Sequence, residues 1–275
     1  CGRRGPSTCR AYPAMPDAET AGGVAAPAAG DGRLFWTLER RRCESNFVYL
    51  AENYIRLKSK DQIGFPTLKF NPVQAHLWAK MQAQWKRDGW VRQVWGKARQ
   101  LGVTTFGRAV SFHQTAFKPN RTAFVANYDE KNSYELFDTH DVAYLNALPE
   151  PLKPRVSHQA KNRIVFPSRN SKIVVGHAMN MNVGASQMNH IVHLTEVARY
   201  RDAAQVQASL FPSISSARGA DCSIVMVEST SHYGGEWFKS FAEAAMRGET
   251  EYEFSFLNWT MNPAYALPVP RGFAP

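Results

Sequence analysis

The residues best suited to chemistry lie in one short stretch, Lys97-Ala98-Arg99-Gln100-Leu101-Gly102-Val103-Thr104-Thr105. Cations, a glycine and paired hydroxyls between a strand and a helix suit a polyphosphate. Backbone N–H groups and the helix N-terminus cradle the phosphates while a hydroxyl takes Mg²⁺. Set against the usual G-x-x-x-x-G-K-[ST] pattern, Gly102 is the second glycine and Thr104 the hydroxyl residue. Lys97 stands at the first glycine position and Val103 replaces the lysine. Without that lysine, the β and γ phosphates need another cation, and Lys97 and Arg99 are the candidates. The same residues also fit a basic surface turn ahead of a Thr-capped helix.

A phosphate loop of this kind works with an acid at the end of a neighbouring buried strand, which orients and deprotonates the attacking water. His190-Ile191-Val192-His193-Leu194-Thr195-Glu196 supplies one. Glu196 is the candidate base, and Thr195 stands where an Asp commonly helps to bind metal through water. The alternative makes Glu196 an acid favoured by a helix dipole. His190 and His193, three apart on a strand, point to opposite faces and do not form a metal pair. Another apolar strand runs into Glu228-Ser229-Thr230-Ser231. Ligands of open α/β sheets bind at such strand ends, so Ser229 or Thr230 could sense the γ-phosphate; a strand-ending turn explains the residues as well.

The elements that must position these groups alternate. Mixed aromatic and charged residues from Leu34 to Lys60 predict a helical lead-in. Strands are predicted at Val91 to Trp95, Arg121 to Asn127, His190 to Leu194, Cys222 to Val227 and Tyr252 to Leu257. Helices are expected from Thr104 to Phe117, from Glu130, through Ala203, Val206 and Leu210, and from Glu236 to Arg247. Arg163 to Phe166 and Lys172 to Gly176 read as a hairpin around Arg169-Asn170. Strands separated by helices imply an α/β fold with parallel βαβ units and a sheet covered on both faces. No internal repeat is present. Residues 1–32, rich in Ala, Gly and Pro, read as a disordered tail.

With 275 residues the chain can bury a sizeable core. Lys and Arg outnumber Asp and Glu by 33 to 23, for a net charge of +10, which favours a polyanionic partner such as nucleic acid. Basic residues such as Lys118, Arg121, Lys153, Arg155, Lys161, Arg163, Arg169 and Lys172 are candidate phosphate contacts, unless they are ordinary solvated surface. The four cysteines, Cys1, Cys9, Cys43 and Cys222, are widely spaced, and a chain this long needs no disulfide framework, which suits a reducing compartment. No apolar run approaches the roughly 20 residues of a membrane helix, and the N-terminus has no signal-peptide core. A chain that begins with Cys and ends in the Pro-rich stretch from Pro263 to Pro275 is expected to be part of something longer.

Four motifs taken in order resemble the large terminase subunit of tailed phages: F-N-P-V-Q (Phe70 to Gln74), K-A-R-Q-L-G-V-T-T (Lys97 to Thr105), H-I-V-H-L-T-E (His190 to Glu196) and V-E-S-T-S (Val227 to Ser231). The displaced lysine at Lys97 is similar to a deviant Walker A loop found within that family. The resemblance covers residue 34 to the C-terminus. It implies a P-loop NTPase fold of the ASCE type, with a mainly parallel central sheet flanked by helices, over residues 33–262, and the start of a linker to an absent nuclease domain over 263–275. It further implies an ATPase with ATP and Mg²⁺ as cofactors, moving double-stranded DNA into a procapsid. Implied partners are the portal protein, the small terminase subunit and copies of itself in a ring, expected as a pentamer, in the host cytoplasm.

By matched position, Gln74 would read adenine. Lys97, Arg99, Gln100, Gly102, Thr104 and Thr105 would hold phosphates, Thr104 and, through water, Thr195 would hold Mg²⁺, and Glu196 would activate water. Thr230, beside Ser229, would couple hydrolysis to movement. The stretch from residue 182 to 185 has no arginine where many relatives carry one, so Arg155, Arg163 and Arg169 are the candidates for a finger acting in trans. No carboxylate cluster suited to two-metal cutting follows the motifs, and nuclease activity is not expected of this chain. Two other readings stay open: a helicase or recombination ATPase, and a DNA-binding or capsid-docking module whose nucleotide site has decayed.

Overall fold

The computed structural model of the chain describes residues 32–57, 64–180 and 182–266. Of the expected tail (1–32) all but Gly32, which opens the first helix, and of the expected linker (263–275) all after residue 266 lie outside the described residues. The helical lead-in is two helices, α1 (Gly32–Ser45) and α2 (Phe47–Tyr54). Asn46 separates them, its side chain accepting from Tyr49 N–H to cap α2. Buried Glu39 on α1 accepts from the hydroxyls of Tyr49 and Tyr54, which offsets the cost of burying a carboxylate.

Helix α3 (Pro72–Asp88) is an addition to the elements read from the sequence. Asn71 and Gln74 form a capping box, Pro72 occupies the first turn, and Gly89 ends the helix in the left-handed region. Its buried face mixes Val73, Leu77 and Met81 with Gln74 and Gln84, and those amides blur its apolar period. Strand β1 (Val91–Lys97) then leads through the glycine-containing loop into α4 (Val103–Ala116), whose N-cap is Gly102 and not the threonine.

The remaining elements are β2 (Thr122–Asn127), α5 (Glu130–Leu136), a π-helical turn (Phe137–Val142), α6 (Ala143–Ala147), β3 (His158–Ala160), β4 (Arg163–Phe166), β5 (Ser171–His177), α7 (Asn182–Ala185), β6 (Ile191–Thr195), α8 (Ala203–Leu210), β7 (Ile224–Ser229), α9 (Glu236–Met246) and β8 (Glu253–Leu257). They form one eight-stranded sheet in the order β3-β4-β5-β2-β6-β7-β1-β8. All pairings from β5 to β8 are parallel. The expected β4–β5 hairpin is present, and β3 extends it as an antiparallel edge.

Alternation along the strands sends side chains to two cores. Ala123, Val125, Ile191, Ile224 and Met226 join α2, α3 and α4 on one face. Phe124, Ala126, Val192, Leu194, Val225 and Val227 join α8 and α9 on the other. Both faces are therefore covered, as a parallel sheet requires.

Candidate nucleotide site

The loop after β1 bends because Gln100 and Gly102 both take left-handed backbone angles, φ 64° and 74°. A Cβ at Gly102 would lie 2.7 Å from Gln74 Nε2, so glycine serves both the turn and the close approach of α3. That approach carries hydrogen bonds: Gln74 Nε2 donates to the Gly102 carbonyl at 2.9 Å, and Asn71 Nδ2 to the Leu101 carbonyl at 3.1 Å. Gln74 Oε1 meanwhile accepts from Asn71 N–H at 3.1 Å. Both ends of this 3% exposed amide are satisfied inside the protein, so Gln74 anchors the loop here, and adenine is not among the partners its amide has.

Glu196 follows the last residue of β6 and sits at φ 55°, a strained conformation for a residue with a side chain. Its Oε1 accepts from Lys97 Nζ at 3.1 Å and its Oε2 from Thr230 Oγ1 at 2.8 Å. Lys97 Nζ also lies 3.4 Å from Thr104 Oγ1 and 3.4 Å from Glu228 Oε2. Residues of three separate motifs thus converge on one ammonium. Burial alone would lower the Lys97 pKa, but Glu228 and then Glu196 outweigh it and raise it, so the group is charged. Burial would likewise raise Glu228; Lys97 and His193 prevail and hold it at about 2.

Lys97, Thr104 and Glu196 form the floor of an open cleft of about 750 Å³ at the C-terminal ends of the strands, with Glu228 and His193 buried outside its lining. Gln100, Gly102, Thr104 and Thr105 line the loop side, Thr195 and Glu196 the acid side. Tyr128, His140 on the π-helical turn and Tyr265 close the rim. Tyr265 also donates its hydroxyl to the Gln100 carbonyl at 2.6 Å. The volume suits a small polyanionic ligand.

The other expected residues differ in placement. Arg99 is exposed on the turn, outside the residues that line the cleft. Thr195 donates its hydroxyl to the Ala126 carbonyl at 3.3 Å, which leaves its oxygen as an acceptor only. Ser229 is buried, accepting from Ala198 N–H and donating to the Thr230 carbonyl, so it fixes the turn after β6. Arg169 pairs with Glu44 of its own chain, whereas Arg155 and Arg163 are exposed near the antiparallel edge. Arg121, a candidate surface cation, is buried and donates to the carbonyls of Asp221 and Cys222. His140 and Tyr265 at the rim, and Glu228 and His193 buried outside the lining, carried no role in the sequence reading. The available signal was alternation: Lys97, His193, Thr195 and Glu228 fall on one sheet face.

The run β8-β1-β7-β6-β2 inserts the Thr230-bearing strand between the loop strand and the Glu196 strand. Together with the loop, this arrangement makes the chain an α/β P-loop NTPase fold of the ASCE type. Among solved structures it is similar to the HK97 bacteriophage large terminase, at 10% identity and TM-score 0.60, covering 78% of this chain and 43% of that one. It is also similar to a mutant ATPase domain of the Thermus phage P74-26 large terminase, at 15% identity and TM-score 0.51, covering 68% of this chain and 81% of that one. The chain thus has the fold of a phage large-terminase ATPase domain and spans less than half the length of the HK97 protein. No protein-family model and no curated protein matches the sequence.

Proposed function

We propose that this chain is the ATP-hydrolysing motor portion of a viral DNA-packaging terminase. The observation that carries the reading is Glu196, placed with Lys97 and Thr104 on the floor of the cleft. On this reading Lys97 and the loop N–H groups hold phosphates, and Glu196 orients and deprotonates water. Mg²⁺ binds with few protein oxygens and keeps phosphates and waters as its other ligands, and the Thr104 hydroxyl at the start of α4 fits that need. The bound ion would neutralise phosphate charge. The test is ATP hydrolysis with and without duplex DNA. We expect DNA-stimulated hydrolysis, lost in Lys97→Ala and lowered about 10²–10⁴-fold in Glu196→Gln with analogue binding retained. If the parent shows no saturable binding of an ATP analogue, a DNA-binding or capsid-docking module with a decayed site takes its place. Val103 and Thr195 are the residues that motivate that second reading. Separation of DNA strands would instead indicate a helicase.

Duplex DNA is the proposed moving partner, with a homo-oligomeric ring, the portal and the small subunit as the assembly. The sequence has no carboxylate between Glu150 and Glu196, while Lys153, Arg155, Lys161, Arg163, Arg169 and Lys172 fall within that span. Arg155, Lys161 and Arg163 are exposed. The register puts His158, Val165 and Lys172 side by side, with Arg163 on the same face two residues from Val165. Burial and then the Arg163 charge lower the Lys172 pKa, as expected where cations are crowded without counter-ions. Such an edge suits sequence-independent contact with a phosphate backbone.

A further inference from the structure

Tyr128, His140 and Tyr265 close the rim of the cleft, and two of these rings are already in use. The Arg199 guanidinium lies 5.4 Å over the Tyr128 ring, and the Tyr128 hydroxyl accepts from Asn132 Nδ2 at 2.7 Å. His140 meets the Leu136 carbonyl through Nδ1 at 3.0 Å and Thr105 Oγ1 through Nε2 at 3.3 Å, and its ring stands edge-on to Tyr144. Tyr265 differs. It is 38% exposed, and among the described residues no ring or guanidinium stacks on it. Of its side chain only the hydroxyl is committed, to the Gln100 carbonyl of the phosphate loop at 2.6 Å.

The path from β8 to Tyr265 is short and fixed. β8 runs parallel to β1 with Leu257 beside Lys97, and Ala98 N–H donates to the Leu257 carbonyl at 2.9 Å. Asn258 and Asn262 each accept from the backbone N–H two residues on, at 3.3 and 3.2 Å, and so set the two 3₁₀ turns that carry the chain to Tyr265. A ring tied in this way keeps a fixed reach from the loop N–H groups, and a flat apolar face held beside a phosphate site suits a base. The edges of a base find less here. The amides of Asn71 and Gln74 are spent on the loop carbonyls and on each other's backbone N–H groups. The Gln100 side chain is exposed, where water competes for its hydrogen bonds. We propose that Tyr265 is the base-stacking platform of the cleft: a nucleotide whose phosphates lie on the loop packs its base on this ring, and the site takes guanine as readily as adenine, since every base has such a face. This role rests on the nucleotide reading of the cleft.

The test is equilibrium binding of three probes in the presence of Mg²⁺: a non-hydrolysable ATP analogue, its GTP counterpart and inorganic triphosphate. In the parent we expect the two analogues to bind within about threefold of each other, and each at least about fivefold more tightly than triphosphate. Tyr265→Ala weakens both analogues by about 5- to 150-fold and leaves triphosphate within about twofold. Tyr265→Phe keeps the ring and drops the hydroxyl, so the advantage of either analogue over triphosphate survives. The comparison of probes in the parent needs no variant and stands even where Tyr265→Ala folds poorly. Equal losses for analogue and triphosphate in Tyr265→Ala would reduce Tyr265 to a prop of the loop and overturn the proposal. So would a parent that binds triphosphate as tightly as either analogue, or one that prefers the ATP analogue by more than about tenfold, which signals edge recognition. In those cases the nucleotide reading itself survives. A parent that binds neither analogue nor triphosphate overturns that reading and the platform together.

Discussion

Thr230 makes the second of the two bonds that hold Glu196, and its effect on the reaction can be separated from that of the acid itself. Thr230→Val keeps the volume and deletes the hydroxyl. We expect it to bind nucleotide and to retain DNA-independent hydrolysis within a few-fold, while DNA stimulation disappears. The ratio of rates with and without DNA is the measurement, and an unchanged ratio would remove Thr230 from the coupling role. At this scale the sequence was informative where a polar residue ends or directly follows a strand: Lys97, Glu196 and Thr230 all do so. Gln74 is ambiguous in the sequence because an amide suits a backbone carbonyl as well as a purine, and the Gly102 carbonyl that it meets here is invisible in the sequence. Glu228 was hidden for a related reason, since an acid at a strand end reads as the first residue of a turn.

The register of α4 on β6 depends on Gly107. A Cβ there would come within 2.4 Å of His193 Cε1, and the ring is fully buried with no space to retreat. Gly107→Ala therefore forces the helix away from the strand and tilts the loop at its start. The expected cost is about 1–3 kcal/mol, read as a lower urea midpoint with an unchanged slope. A parent-like midpoint would show that α4 is free to shift. The apolar strands and the hairpin were legible because their residues keep one periodicity throughout. Helix α3 was not, as Gln74 and Gln84 occupy its buried face. The π-helical turn at Phe137–Val142 has no residue signature of its own, and its extra residue places His140 at the cleft rim.

Over the whole molecule, buried titratable groups set the response to acid. Burial lowers His113 and His140 from 6.5 to about 4, so the stability of their neutral forms is lost as pH falls through that window. Glu228, lowered from 4.5 to about 2, adds a further loss below pH 4.5. Asp141 opposes them: burial raises it from 3.8 to about 6, so its penalty is relieved on acidification. Two histidines against one aspartate predict a falling unfolding temperature between pH 6.5 and 4, checked by calorimetry. A flat profile would mean that these rings are hydrated in solution. The basic edge makes a separate prediction. Lys161→Glu and Arg163→Glu weaken duplex binding for every sequence and reduce the slope of log affinity against log salt by about one per contact. An unaltered slope would move the duplex to another surface. Net charge raises the expectation of a polyanionic partner, but where the cations gather depends on the strand order, which composition does not carry.

The hydrogen bond from Tyr265 to the Gln100 carbonyl joins two segments far apart in the chain. On the motor reading, thermodynamic reciprocity would let the loop act as a strain gauge: whatever factor a load on the backbone at Tyr265 puts on the loop's grip on nucleotide, nucleotide puts on the resistance to that load.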